Sequence, residues 1–403
     1  MAQTLRVVID ARLSSGRSGG IEQIVIGLAS GLAEVAEAGD EYVFVVSDDS
    51  WLRPYLRGPM RIVHIPPGRG VKVRDMARRV PGLTRVWRAW RSRRVPGNVA
   101  LPASPGIAES IGADVVHFPT SIGYDTSIPF IFHPWDLQHV HYPEFFTRAE
   151  WVTRDHMYRE LCARAEVVSV ATQWVKDDVV KQFGIDPAKI EVVPVAPVVT
   201  AYPKPSADDL ATVRRDRALP ERFAYFPAHT WPHKNHLGVI RAVALLRDRG
   251  TDMHVVFSGG ETEFAPRLHA EVKRLGVGNL VRFLGFVSPL EVQCLYRLAT
   301  FLVFPSRFEG WGMPVPEAFH SGLPVASSNA PSVAEVTGDA ALLFDPDDVE
   351  SIADAMLRLQ SDETLREELI RRGREVDQRL SWVATAGRFR ELYLRIARDS
   401  RRA

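Results

Sequence analysis

Residues 304–317 read F-P-S-R-F-E-G-W-G-M-P-V-P-E, directly after the apolar residues 301–303. An apolar run this short, bounded by a turn, reads as a buried strand, and an apolar stretch opened by a proline reads as a helix start. The segment is therefore strand, tight glycine turn and short helix. Such a turn aims backbone N–H groups at the space above the strand end, where anions are favoured. Glu309 in the turn and Glu317 on the helix add two carboxylates eight residues apart. A glycine turn alone says little. With both carboxylates it suits a ligand that carries phosphate and hydroxyl groups together.

The same rhythm extends outward. The periodicity predicts a strand over 5–10, a helix over about 21–38 stopped by Gly39, and strands over 42–47, 61–65, 115–118, 130–132, 167–170 and 190–193. Prolines and small polar residues over 197–221 interrupt the pattern and mark a boundary. It restarts with strands over 223–227, 254–257, 281–284, 301–304, 324–326 and 341–344. Helices over 237–247, 264–275 and 289–298 lie among them. Three helices, over about 347–359, 361–379 and 383–398, close the chain. Strands that are apolar throughout and alternate with helices imply parallel sheets covered on both faces. The expected class is α/β: two doubly wound, Rossmann-like domains facing a cleft, over 1–200 and 201–385. In the last helix, 386–403, Phe389, Leu392, Tyr393 and Ile396 form an apolar stripe that must pack against one of the domains. Ligands of such sheets bind beyond the carboxyl ends of the strands.

At 403 residues the chain is long enough for two or three domains. It is 46% apolar and 25% charged with a net charge of +1, which argues against bulk nucleic-acid binding. Cys162 and Cys294 are 132 residues apart, a pattern of buried reduced thiols rather than of a metal site or disulfide framework. The N-terminus enters a strand at once, without a signal-peptide pattern, and no apolar run is long enough to span a bilayer. A cytoplasmic location, with at most peripheral contact at the inner face of the membrane, is expected.

The glutamate–seven residues–glutamate spacing resembles the signature of the retaining glycosyltransferases of family 4, which have the GT-B fold. The likeness continues in H-K-N (233–235), G-F-V-S (285–288), S-G-L-P-V-A (321–326) and A-E-V-T-G-D-A-A-L-L-F-D-P (334–346). In the first half it is looser: G-G-I-E-Q (19–23), D-V-V-H (114–117) and H-P-W-D-L-Q-H-V-H-Y-P-E-F-F (133–146). The resemblance makes the first domain the acceptor side and the second the nucleotide-sugar side, and implies that the helix over 386–403 crosses back onto the first domain, the alternative being a helix packed only on the second. Lys234 is implied to neutralise the diphosphate, a compact fixed charge that needs no metal. Glu317 is implied to accept from the ribose hydroxyls and Glu309 to lie beside the transferred sugar. Gly310, Gly312, Met313 and Pro314 would bring backbone to the sugar or phosphate, and Phe286 and Val287 would line the base pocket.

The family has an arginine shortly before the lysine where this chain has Ala228 and His229. His229, Arg307 or an N-terminal arginine is the expected substitute. Gly19 and Gly20 match the turn near the donor phosphates. His133 matches the histidine close to the sugar and Asp136 the aspartate after it, with Pro134 and Trp135 between them, so His139 and His141 are rivals. No D-x-D lies on the nucleotide side apart from Asp345 to Asp347, in a loop where Asp347 and Asp348 read as helix caps. No cofactor and no metal are therefore expected.

Residues 69–94 hold nine arginines and one lysine against one acid, with Trp87 and Trp90 among Arg85, Arg88 and Arg91. Two readings stand: a segment that docks on anionic membrane, with Arg85 and Arg88 on the acceptor side, or a surface helix with solvated arginines. The implied reaction is transfer of a hexose from GDP-mannose or a UDP-sugar to a polyprenyl-linked or oligosaccharide acceptor in cell-surface polysaccharide synthesis. The alternatives are a soluble small-molecule acceptor, a sugar-phosphate synthase or phosphorylase, and an inactive partner protein of the same fold.

Overall fold

The computed structural model describes residues 5–13, 20–66 and 99–402. The chain divides into two compact units: residues 1–195 with 382–403, and residues 196–381. These junctions differ by a few residues from the expected 200/201 and 385/386. The arginine-rich segment 69–94 lies outside the described residues.

In the first unit the strands are β1 (Leu5–Asp10), β2 (Asp40–Val46), β3 (Met60–His64), β4 (Val115–Phe118), β5 (Phe130–Phe132), β6 (Val167–Val170) and β7 (Ile190–Val192). They pair in parallel in the order β3-β2-β1-β4-β5-β6-β7. The apolar runs that identified them are central: Val7, Val8, Ile9, Val115 and Val116 are wholly buried. The helix Trp382–Ser400 belongs to this unit and buries Phe389, Leu392, Tyr393 and Ile396. It lies against the helix Gly20–Val35, where a Cβ on Gly27 would fall 1.9 Å from the Trp382 ring and one on Gly31 would fall 2.2 Å from the Trp382 carbonyl oxygen. Two glycines one helical turn apart thus let the helices approach closely.

The second unit contains β8 (Ala224–Pro227), β9 (Val255–Ser258), β10 (Val281–Phe283), β11 (Phe301–Phe304), β12 (Val325–Ser328) and β13 (Ala341–Phe344). Its order is β10-β9-β8-β11-β12-β13, again parallel. Counted within the unit this is 3-2-1-4-5-6, the doubly wound arrangement whose strand order reverses between its first and fourth strands. Both units are thus doubly wound α/β sheets, as the apolar strand pattern implied. Cys162 and Cys294 are buried free thiols. Among the described residues no helix is long and apolar enough to cross a membrane.

Candidate active site

In the second unit the reversal lies between β8 and β11, and the loops leaving these two strands carry Lys234 and Glu309. After β8 the chain passes through a single 3-10 turn, Pro232–Lys234. Asn235 follows in the left-handed region at φ 59° and caps the helix His236–Asp248, its Oδ1 accepting from Gly238 N at 3.2 Å. Its Nδ2 donates to the Pro346 carbonyl at 2.7 Å, so the residue next to Lys234 is fixed on both sides. After β11, Arg307 N donates to the His233 carbonyl at 2.9 Å, which ties the two loops together. Ser332 Oγ holds the Glu309 carbonyl at 2.5 Å. Across this seam Lys234 Nζ donates to Glu309 Oε1 at 2.5 Å, with both side chains largely buried.

The two groups expected to act on phosphate and on sugar therefore meet each other. The buried histidines beside them add no charge. Burial and the neighbouring Lys234 pull His233 down to about 2 and His236 to about 3, so both rings are neutral. Arg307 is engaged with Asp347 at 2.6 Å. His229 Nδ1 lies 3.2 Å from the Gly260 carbonyl, which can only accept, so this nitrogen carries the hydrogen. His229 then offers a donor at Nε2 only as the imidazolium.

Gly312 turns at φ 76°, and a Cβ there would approach the Phe304 ring to 3.2 Å. Met313 and Pro314 start the helix Pro314–His320, and Gly310 is buried before them. Glu317, one turn into that helix, is only 4% exposed. Tyr296 Oη donates to its Oε2 at 2.7 Å, while Oε1 is buried without a hydrogen-bonding partner among the described residues. Burial raises the Glu317 carboxyl to about 7 against the Tyr296 hydrogen bond. This half-satisfied carboxylate can take one more O–H donor. In the loop after β10, Phe286 is 63% exposed and Val287 is buried.

In the first unit Gly20 opens the helix Gly20–Val35, while Gly19, Arg85 and Arg88 lie outside the described residues. At the end of β1 Arg12 grips Asp10 with two bonds of 2.8 and 2.6 Å and stands over the Tyr124 ring. His133, directly after β5, is 2% exposed. Its Nε2 lies 2.8 Å from His117 Nε2, and His117 Nδ1 lies 2.5 Å from Tyr393 Oη. Burial lowers His133 to about 3, so the ring is neutral. Asp136 Oδ1 accepts from Gln138 N at 3.0 Å and shapes the start of the short helix Gln138–His141.

The expectation for His139 requires correction. It is fully buried among Tyr158, Trp151, Phe146 and Phe183 and lowered to about 4, chiefly by burial. No acceptor reaches it without opening that cluster. His141, the other rival, pairs with Asp178 at 2.8 Å. Sequence reasoning gave no role to Tyr296 or Asp10, left Arg12 among the N-terminal arginines, and took His117 only within the D-V-V-H match and Tyr393 only within the apolar stripe. Only His117 carried a signal, as a polar residue inside the apolar strand Val115–Phe118.

The family model described as Glycosyl transferases group 1 matches residues 213–376, and that of Glycosyltransferase Family 4 matches residues 18–196. O-antigen chain mannosyltransferase B of Escherichia coli is 27% identical over 241 residues, 60% of this chain and 63% of that protein. D-inositol 3-phosphate glycosyltransferase of Corynebacterium glutamicum (strain R) is 30% identical over 244 residues, 58% of each chain. These alignments span less than two thirds of the curated relatives' own length. Two solved structures share the fold along nearly the whole chain. Anabaena Alr3699/HepE in complex with UDP and glucose has a TM-score of 0.69 at 17% identity, covering 96% of this chain and 99% of its own. WaaG, a glycosyltransferase involved in lipopolysaccharide biosynthesis, has a TM-score of 0.66 at 14% identity, covering 96% and 99%. Two family models that succeed one another along the chain, and a GT-B fold over nearly all of it, agree with the spacing of Glu309 and Glu317: the chain belongs to the family-4 type of GT-B glycosyltransferases.

Proposed function

We propose that the protein is a retaining, metal-independent glycosyltransferase that moves a hexose from a nucleoside-diphosphate sugar to a lipid-linked or glycan acceptor in cell-surface polysaccharide synthesis. The observation that carries this reading is the Lys234–Glu309 pair at the sheet's reversal point. A diphosphate arriving there draws Lys234 off Glu309, and the freed carboxylate turns to a sugar hydroxyl or to developing oxocarbenium charge. Lys234 then stabilises the charge that grows on the departing diphosphate, a contribution realised in the transition state. Glu317 takes a ribose O–H on Oε1, the oxygen that has no protein partner. Gly310, Gly312, Met313 and Pro314 hold backbone close to the sugar and phosphates, and Phe286 and Val287 flank the base. In the first unit His133 is the candidate for the sugar, Gly19 and Gly20 for the phosphates, and Asp136, Arg85 and Arg88 for the acceptor. The arginine-rich segment would bring the enzyme to an anionic membrane surface.

Mannose from GDP-mannose is the first choice, supported by the name of the Escherichia coli relative. A UDP-sugar and a soluble acceptor form the second reading, favoured by the UDP in the HepE structure and by the inositol phosphate in the name of the Corynebacterium relative. A thermal-shift screen over GDP-, UDP-, ADP- and dTDP-sugars separates them, because a ligand that binds only the native state raises its apparent stability. The expected outcome is a shift with GDP-mannose, followed by α-linked product from the α-linked donor in excess chelator. Activity lost on chelation and restored by magnesium or manganese would overturn metal independence, and a β-linked product would overturn retention.

A further inference from the structure

We propose that Tyr393, acting through His117, sets the tautomer of His133, so that His133 carries its proton on Nδ1 and meets its ligand as a hydrogen-bond donor. The ligand itself rests on the reading above, in which His133 faces the transferred sugar. The atom it recognises is then an acceptor oxygen of that sugar, such as a hydroxyl oxygen.

Protons can be placed one by one along a single buried line of side chains. Tyr393 Oη meets His117 Nδ1 at 2.5 Å, and His117 Nε2 meets His133 Nε2 at 2.8 Å. All three side chains are at most 2% exposed. Phe389 covers both imidazoles, with ring centroids at 4.8 and 5.4 Å, so water has no ready place in the line. A neutral imidazole has one N–H and one lone pair. Between the facing Nε2 atoms one proton must lie, since two lone pairs or two N–H groups would repel. Two arrangements satisfy this. In the first, Tyr393 donates to His117 Nδ1, His117 donates from Nε2 to His133, and His133 is left with Nδ1–H. In the second every bond is reversed, and the phenolic hydrogen of Tyr393 has no acceptor, because His117 is the only hydrogen-bonding partner the structure gives it among the described residues. The first arrangement leaves one unpaired group, the His133 Nδ1–H that a ligand oxygen can take, whereas the second leaves two, the buried phenolic O–H and the His133 Nδ1 lone pair. His133 Nδ1 has no protein partner among the described residues in either case, and a ligand oxygen is the group that would complete the line. Tyr393 and His117 are therefore positioning residues, in the way that a second hydrogen bond decides which nitrogen of a functional histidine is protonated.

Two-bond proton–nitrogen correlation spectra of the full chain labelled with nitrogen-15 histidine test this without using activity. Signals of the two residues are assigned with His117→Gln and His133→Asn. The expected wild-type pattern is Nδ1–H for His133 and Nε2–H for His117. Tyr393→Phe removes one oxygen and should move His133 toward Nε2–H. Wild-type His133 already protonated at Nε2, or a pattern unchanged by Tyr393→Phe, overturns the proposal, and the wild-type spectrum decides even if the variant folds poorly. The sugar assignment is judged separately by kinetics. Tyr393→Phe should lower kcat/KM for the nucleotide sugar roughly two- to tenfold, the worth of one neutral hydrogen bond, with affinity for the free nucleoside diphosphate unchanged. The expected spectra with unchanged kinetics would support the tautomer relay and count against the placing of His133 beside the sugar.

Discussion

Glu317 is a carboxyl group held partly satisfied, with one oxygen bound by Tyr296 and the other bare. Burial raises it from the ordinary 4.5 to about 7, so between those values the folded chain keeps a proton that the unfolded chain has lost. Stability from this group is therefore lost as pH rises from 4.5 to 7 and is flat above. A tenfold change in proton affinity is worth about 1.4 kcal/mol, and the ligand-free Glu317→Gln variant should be more stable than wild type at pH 8 by up to about 3 kcal/mol. Denaturant melts at pH 8 and pH 5 check this, with the advantage shrinking at the lower pH. Hydroxyl donors favour the ionised form, so nucleotide binding should expel the proton. Affinity for GDP or UDP should rise from pH 6 to pH 8 more steeply in wild type than in Glu317→Gln, and equal slopes would remove Glu317 from the nucleotide site. The Lys234–Glu309 pair carries a different expectation. Lys234→Ala should lower kcat by roughly 10²–10³, as for other groups that meet transition-state charge. Glu309→Gln should lower kcat with nucleotide affinity nearly intact, and matching losses of affinity in both variants would sink the division of roles. Both glutamates and Lys234 were legible because a motif is local. The commitment of Arg307 to Asp347, forty residues on, was not. Nor was the burial of His139, since alternation of histidines with apolar residues does not say which face is inward.

At the scale of elements, β1 was legible to the residue, because a parallel strand covered on both faces writes itself as an unbroken apolar run. Helix ends drifted by up to three residues: 21–38 was expected where Gly20–Val35 forms. The 3-10 turn at Pro232–Lys234 left no period at all, since three residues are too few to show one. It depends on the left-handed Asn235 and the bond to Pro346, a partner that no local pattern announces. Gly27 and Gly31 were unremarked for the same reason, as their meaning is set by Trp382, more than 350 residues away. That contact makes a sharp prediction. Gly27→Ala places a carbon where the Trp382 ring already lies, and overpacking of this kind costs about 1–3 kcal/mol. Gly27→Ala should lower the stability of the first unit by that amount, and adding Trp382→Leu should recover part of it. If the two changes add with no recovery in a double-mutant cycle, the ring is not what the glycine accommodates.

Across the whole molecule the chain passes between the units twice: residues 1–195 form one unit, 196–381 the other, and 382–403 return to the first. The apolar stripe suggested the return, and the ionic contacts that accompany it were not readable from the sequence. Arg390 pairs with Asp40 at 2.7 Å and Arg395 with Glu191 at 2.9 Å, while Arg401 reaches Asp114 at 2.7 Å. Each is worth little where exposed, so the apolar side chains dominate: Trp382, Phe389, Leu392, Tyr393 and Ile396 fill the first unit's core with residues from the far end of the chain. A chain ended after Ser381 should therefore lose the first unit and keep the second, whose strands, Lys234–Glu309 pair and Glu317 all lie within 196–381. Hydrogen exchange followed by mass spectrometry reads both at once. In the shortened chain β1 and the helix Gly20–Val35 should exchange freely while β8, β11 and β12 remain protected. A nucleoside diphosphate that binds the full-length protein should still slow exchange in the loops after β8 and β11, because the residues proposed to hold the diphosphate and ribose are all retained. Protection lost throughout the shortened chain would show that the second unit does not fold alone. Protection kept in the second unit but unresponsive to nucleotide would mean that the first unit supplies an essential part of the nucleotide site.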